Sequence, residues 1–357
     1  MNRAARATID SAALRANLRA LRGKRDARIM AVIKADGYGH GIVPVARALA
    51  EADAFAVARL EEAVSIRKAG LRNRVILLEG LFHPEQLNLA AELDLELVVH
   101  APEQLEMLDC ASPNHRYPVW LKLDTGMNRL GFEPAVASEL AHRLHTCPAV
   151  RGPANLMTHL ANADDPDDLT TAAQVRLFSE VVEGLPGERT IANTAGMLAW
   201  EDSVADWVRP GIGLYGVSPF SQGSGTDLGL KPVMTLVSEL IAVKTVAAGS
   251  RVGYGGVWTA KDPTRIGVAA IGYGDGYSRH LGDGTPVRIG EATGRIVGRI
   301  SMDMITIDLE DAPRARVGDE VLLWGEGLPV ETLARLAGTI PYELLCGVTR
   351  RVAMRVV

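Results

Sequence analysis

The sequence predicts a (β/α)8 barrel followed by a mostly β domain. Eight short apolar runs alternate with helical stretches before Pro210. A small polar stretch, Ser221 to Thr226, then breaks the pattern. Beyond it the runs are β-branched and interrupted by Gly, Pro and Asp, the texture of a β domain. The 357 residues suit two domains at roughly 150 residues each. The expected division is 1–228 and 229–357, with the first few residues able to pair with the C-terminal domain.

The first helix begins at Ser11, a residue able to cap it. It carries Leu14, Leu18 and Leu21 on one stripe and stops at Gly23. Ile29–Ile33 is apolar without alternation, as a strand buried on both faces reads. Ala54–Ala58, Val75–Leu78, Leu95–Val99, Val119–Leu123, Ala154–Thr158, Thr190–Asn193 and Asp206–Val208 repeat that pattern. Helical periodicity lies between most of them, at Leu60–Ala69, Pro84–Ala91, Pro102–Leu108, Pro134–Leu144 and Thr170–Val182. Periodicity alone leaves a doubly wound open sheet as the alternative, because the last strands are short. In the C-terminal part, Met234–Val246, Arg265–Ile271, Pro286–Ile289, Gly294–Ile300, Met304–Leu309 and Glu320–Trp324 read as strands. One short helix is expected near Val330–Ala337.

Composition excludes several classes. A net charge of −5 and 5% aromatic residues argue against a general nucleic-acid binder. Three scattered cysteines, Cys110, Cys147 and Cys346, form neither a disulfide framework nor a zinc motif. No run approaches the roughly 18 apolar residues of a membrane span or has the form of a signal peptide. A cytoplasmic protein is the expectation.

Several residues stand where chemistry is expected. In a barrel, functional side chains gather at the C-terminal ends of the strands. Lys34 directly follows the first barrel strand, and burial there favours the neutral amine that forms Schiff bases. Taken alone, a lysine in a turn is more often a surface residue. Lys122 and Asp124 share one side of their strand, and Arg129 beyond them has the fork that suits a carboxylate. Taken alone, this is a structural salt-bridge cluster. His159 ends the sixth strand, where a lone histidine is more often structural. Asn193 and Thr194 precede a helix start, suited to a phosphate or to an ordinary cap.

The run Val32-Ile33-Lys34-Ala35-Asp36-Gly37-Tyr38-Gly39-His40-Gly41 closely resembles the cofactor-lysine motif of bacterial alanine racemases. These are barrel enzymes that use pyridoxal 5′-phosphate. Further motifs follow in the family's order along the whole chain: Trp120 to Gly131, Met157 to Leu160, Asn193 to Gly196, Trp207 to Gly216, Val252 to Gly256, Gly272 to Gly276, Gly294 to Met304 and Pro341 to Glu343. The resemblance implies that Lys34 holds the cofactor covalently and is the base on one face of the substrate Cα. It implies Tyr254 as the base on the other face, reaching in from a second subunit. Tyr38, Asn193, Thr194, Gly211, Ile212 and Tyr342 are implied around the phosphate, with Thr194 where the family commonly has serine. His159 is implied as the active-site histidine beside the cofactor. Arg209 is implied against the pyridine nitrogen, which an arginine leaves unprotonated. Arg129 and Met302 are implied at the substrate, Asp303 and Tyr273 as supporting groups, and Lys122 as a candidate for carbamylation that orients Arg129.

The implied activity is interconversion of L- and D-alanine by a head-to-tail homodimer with shared active sites. D-alanine supply for cell-wall peptidoglycan, or alanine catabolism, is the implied duty. A broad-specificity racemase, a barrel-type decarboxylase of basic amino acids and a non-catalytic cofactor carrier are the alternatives. The tyrosine motif at Tyr254, the Ser301 to Asp303 segment and the β domain favour the first reading. Neither metal, nucleic acid nor membrane is expected as a partner.

Overall fold

A computed structural model describes residues 4–112 and 114–357. The first three residues of the expected N-terminal domain lie outside it. The chain forms two compact units. One spans Arg15–Leu214 with Pro219–Gln222. The other comprises the segment up to Leu14, Tyr215–Ser218 and Gly223–Val357.

The larger unit is a closed barrel of parallel strands. After β1 (Arg6–Ile9), these are β2 (Arg28–Val32), β3 (Ala54–Val57), β4 (Arg74–Leu77), β5 (Leu95–Val99), β6 (Val119–Lys122), β7 (Asn155–Met157), β8 (Arg189–Asn193) and β9 (Trp207–Arg209). They pair in sequence order, and β2 closes on β9 through Arg28–Trp207 and Ile29–Val208. The open-sheet alternative is thereby excluded. The strands are apolar on both faces because one face fills the barrel and the other lies under helices.

The end of the barrel away from Lys34 is sealed by a charged aromatic cluster. Buried Glu96 accepts hydrogen bonds from Trp120 Nε1 at 2.8 Å and from Arg74 Nε and Nη2. Arg28 and Arg74 both lie over the Trp207 ring, 4.3 and 4.8 Å from its centroid.

In the other unit β1 pairs antiparallel with β10 (Met234–Val246) and parallel with β18 (Ala353–Val356). The intervening strands are β11 (Arg251–Val252), β12 (Trp258–Thr259), β13 (Thr264–Ala269), β14 (Pro286–Ile289), β15 (Ala292–Ile296), β16 (Ile305–Asp308) and β17 (Glu320–Trp324). Thirteen-residue β10 pairs with both β13 and β17, so the order β13-β16-β15-β14-β17-β10 closes on itself. The β11–β12 pair stands apart as a two-stranded ribbon just before and after Tyr254.

Two local readings change. The first helix, Ser11–Arg22, is capped by Asp10 rather than Ser11. Asp10 Oδ1 accepts from the Ala12 and Ala13 amides at 2.7 and 2.9 Å, and Ser11 is already helical. The Gly/Ser-rich stretch is tied down: buried Glu331 accepts from the amides of Ser218 at 3.0 Å and Gly225 at 2.8 Å.

Candidate active site

Lys34 begins the turn that leaves β2. The next residues are unusual: Ala35, Asp36, Gly37, Tyr38 and Gly39 all have φ between 52° and 78°. Five left-handed residues in a row cost roughly 1–2 kcal/mol for each of the three that are not glycine. The surroundings offset that strain. Asp36 Oδ1 accepts from the Ile42 amide at 2.8 Å, and Glu62 accepts from the Asp36 amide at 3.2 Å. His40 Nδ1–H donates to the carbonyls of Gly37 and Tyr38 at 3.0 and 2.8 Å. The turn folds Tyr38 inward, so its hydroxyl sits where Gly211 leaves room. A Cβ on Gly211 would meet that oxygen at 2.4 Å.

His40 makes this turn sensitive to acid. Burial pushes its pKa down to about 4. The folded chain keeps it neutral while the unfolded chain takes up a proton below about pH 6.5. Its stabilising contribution is therefore intact above pH 6.5 and is lost as pH falls towards 4, by about 3 kcal/mol in total. Thermal melts at pH 7 and pH 4.5 should separate widely for the wild type and less for His40→Asn. An unchanged separation would contradict this account.

The other strand ends bring cations together. Lys122, buried at the end of β6, is lowered to about 8 by burial and by the charges of Arg209, Arg129 and Lys34. Asp124 folds the following loop: its Oδ1 accepts from the Gly126 and Asn128 amides at 2.9 and 3.0 Å, which leaves Arg129 exposed at the loop's far side.

Arg209 is buried at the end of β9 with no carboxylate among its partners. Nη1 donates to Thr190 Oγ1 at 2.6 Å. Nη2 donates to the carbonyls of Thr158 and Ile191 at 2.7 and 3.0 Å and to His159 Nδ1 at 3.2 Å. Burial lowers the guanidinium to about 10. Accepting from Arg209 makes His159 Nδ1 the unprotonated ring nitrogen. Burial, then the charges of Arg209, Lys122, Arg129 and Lys34, hold this imidazole well below its ordinary pKa. The ion pair that a structural role for Arg209 would supply is absent among the described residues.

Asn193 is the N-cap of the helix Thr194–Ala199, its Oδ1 accepting from the Gly196 amide at 2.9 Å. Thr194 Oγ1 accepts from the Gly211 amide at 2.9 Å, so that amide is already engaged. Ile212 opens a 3-10 turn, where an amide has no partner within the turn.

Tyr254 is 67% exposed and lies between Gly253 and Gly255 at φ 72° and 73°. Tyr273 and Met302 sit in two segments joined by backbone bonds, Tyr273 N–H to the Ser301 carbonyl and Gly274 N–H to the Met302 carbonyl. Asp303 accepts from Arg351 Nη2 at 2.5 Å, and Arg351 also pairs with Asp275. Tyr342 lies on the helix Pro341–Cys346 in the same unit.

The sequence reading missed Thr125, Thr158, Gln174, Thr190 and Arg351, which hold the named residues. Polar side chains at strand ends and one glutamine on an apolar helix face were the only signals.

A parallel barrel with a half-buried lysine at one strand end, and buried Lys122 and Arg209 at others where cations outnumber carboxylates, defines an enzyme of the (β/α)8 class suited to an anionic ligand. Residues 9–219 match the alanine racemase N-terminal domain and 233–356 the alanine racemase C-terminal domain. The chain belongs to the alanine racemase family. It is 51% identical to an alanine racemase of Shewanella baltica strain OS155 over 355 residues, 99% of either chain. Its fold superposes on the biosynthetic alanine racemase of Pseudomonas aeruginosa with a TM-score of 0.97 and 44% identity, covering all of both chains. The alanine racemase of Bartonella henselae, whose crystal structure holds covalently bound pyridoxal phosphate, matches with a TM-score of 0.90 and 30% identity over both full chains.

Proposed function

We propose that this chain interconverts L- and D-alanine with pyridoxal 5′-phosphate as cofactor. The observation that carries the reading is the cation cluster, which suits a cofactor bearing a phosphate and a substrate bearing a carboxylate. The residues fit that cofactor. Lys34 would hold it covalently, and Tyr38, Thr194 and the Ile212 amide would surround its phosphate beside the space Gly211 leaves open. Asn193 serves this site by capping the helix that carries Thr194, and Gly211 by lacking a side chain. All four Arg209 bonds leave from its terminal nitrogens, fixing the fork without neutralising it. Tyr342 keeps the phosphate role its motif assigns, Met302 its role at the substrate, and Tyr273 and Asp303 their supporting roles.

Pyridoxal phosphate, when bound, supplies the electron sink that makes the substrate Cα proton labile. The chain's own residues do the rest. Arg129 binds the substrate carboxylate. Lys34 takes the proton from D-alanine, and Tyr254 of a second subunit takes it from L-alanine. His159, held neutral with its Nδ1 accepting from Arg209, adds no charge beside the cofactor site. Lys122, lowered to about 8, has enough neutral amine to take up carbon dioxide, which would turn a cation beside Arg129 into an anion that orients it.

Exposed Tyr254, with Val257, Tyr273, Met302 and Met304 also exposed, supports a homodimer whose sites are completed in trans. Three cysteines too scattered for a disulfide framework support a cytoplasmic setting. No described helix is long and apolar enough to cross a membrane.

The test is a racemisation assay with purified protein, followed by borohydride reduction and peptide mapping. Alanine turnover in both directions with the label on Lys34 is expected. Carbon dioxide release, or a label elsewhere, would refute the reading.

A further inference from the structure

We propose that Gln174 is a positioning residue that locks the Arg129 loop to the His159 segment and so sets how well the substrate carboxylate is held. The inference rests on the reading of Arg129 given above.

Gln174 lies on the helix Thr170–Val181, and its side chain is 4% exposed. Every polar group of its amide is used. Oε1 accepts from the Ala161 amide at 2.9 Å. That contact fixes the orientation, since only the oxygen can accept an N–H. Nε2 then faces the His159 carbonyl at 3.2 Å and Thr125 Oγ1 at 3.4 Å, and donates to both. Thr125, having accepted, has its own proton for Thr158 Oγ1 at 2.8 Å. The Cγ of Gln174 also lies against Gly126, 3.4 Å from where a Cβ would stand.

These bonds join two strand ends. Thr125 and Gly126 open the loop that Asp124 closes and that carries Arg129. Thr158 and His159 follow β7, the sixth barrel strand, and are gripped from the other side by Arg209. One amide therefore spans the group assigned to the substrate carboxylate and the groups assigned to the cofactor. The whole chain is buried, with Thr125 at 6% and Thr158 at 1% exposure, so water cannot replace a lost bond cheaply. None of these side chains is placed in contact with the reacting atoms, which is why the role is positional.

Gln174→Met keeps length and volume but removes both donors and the acceptor. KM for alanine should rise roughly tenfold, with kcat changed less than about threefold, because a displaced Arg129 weakens carboxylate binding. Affinity for pyridoxal phosphate should stay at the wild-type value. In cofactor-free protein, the Gly126 and Asn128 amides should exchange with deuterium faster than in the wild type, while amides of the barrel strands keep their protection. Thr125→Val should reproduce part of the effect and be non-additive with Gln174→Met. Arg129→Lys is run in parallel. If Arg129→Lys raises KM and Gln174→Met does not, the proposal is wrong. If Arg129→Lys leaves KM unchanged, the substrate reading of Arg129 is wrong, and the exchange data alone decide whether Gln174 holds the loop. Unchanged exchange at Gly126 and Asn128 overturns it in either case. A uniform loss of protection would mark Gln174 as a packing residue and also overturn it.

Discussion

Lys34→Ala should leave a folded protein that racemises alanine in neither direction. It should also lack the visible absorbance of bound pyridoxal phosphate. The expected loss is at least about 10⁴-fold, because the proposed mechanism assigns this one residue both the covalent attachment and one of the two bases. The local structure explains why no neighbour can substitute. Lys122 is the nearest comparable amine in chemical terms, but it is buried at the end of β6 and enclosed by Arg209 and Arg129. Lys34 instead opens a strained left-handed turn that also delivers Tyr38 to Gly211. Absorbance spectra and assays in both directions check this, with melting of the cofactor-free proteins as a control for folding. Wild-type absorbance in the variant would sink the assignment of Lys34.

Tyr254→Phe should act on direction. Loss of the phenol removes the base assigned to L-alanine, so proton abstraction from L-alanine should fall by roughly 10²- to 10⁴-fold. Abstraction from D-alanine, assigned to Lys34, should fall far less. Because the overall equilibrium constant cannot change, the asymmetry appears in exchange of the Cα proton with deuterated solvent rather than in net turnover. Equal loss from both enantiomers, with cofactor bound, would count against a two-base mechanism. The same residue tests sharing between subunits. Mixing Lys34→Ala with Tyr254→Ala chains should recover about a quarter of wild-type activity, since half the random dimers carry one intact site of two. No recovery after verified exchange of subunits would place the tyrosine in cis.

Much of the fold was legible because buried parallel strands read as short apolar runs. Leu95–Val99, Met234–Val246, Pro286–Ile289 and Glu320–Trp324 have the bounds their sequence suggested. The first residues were expected to be able to pair with the C-terminal domain, as β1 does, but the bounds of β1 and the strand β18 were not legible. Each is four residues long and pairs with a segment more than 200 residues away or at the other end of the chain, which no local pattern records. The helix Pro341–Cys346 is too short to show a period. At the site, the motifs located Lys34, Lys122, His159 and Arg209, and the structure brings their charges within mutual influence. The supporting groups were hidden for a physical reason. Thr190 and Gln174 matter through hydrogen bonds to groups on other strand ends, and neither residue type announces that on its own.

The cluster of Lys34, Lys122, Arg129 and Arg209 around a neutral imidazole has a consequence for the life of the chain before it ever turns over substrate. A newly synthesised polypeptide must bring buried Lys122 and Arg209, half-buried Lys34 and exposed Arg129 close enough for their charges to act on His159, and each adds repulsion as the barrel closes. An anion that binds only the closed barrel relieves that repulsion, and its free concentration enters the folding equilibrium directly. Bound cofactor would thereby raise the fraction of chain that is folded, quite apart from how fast each molecule works.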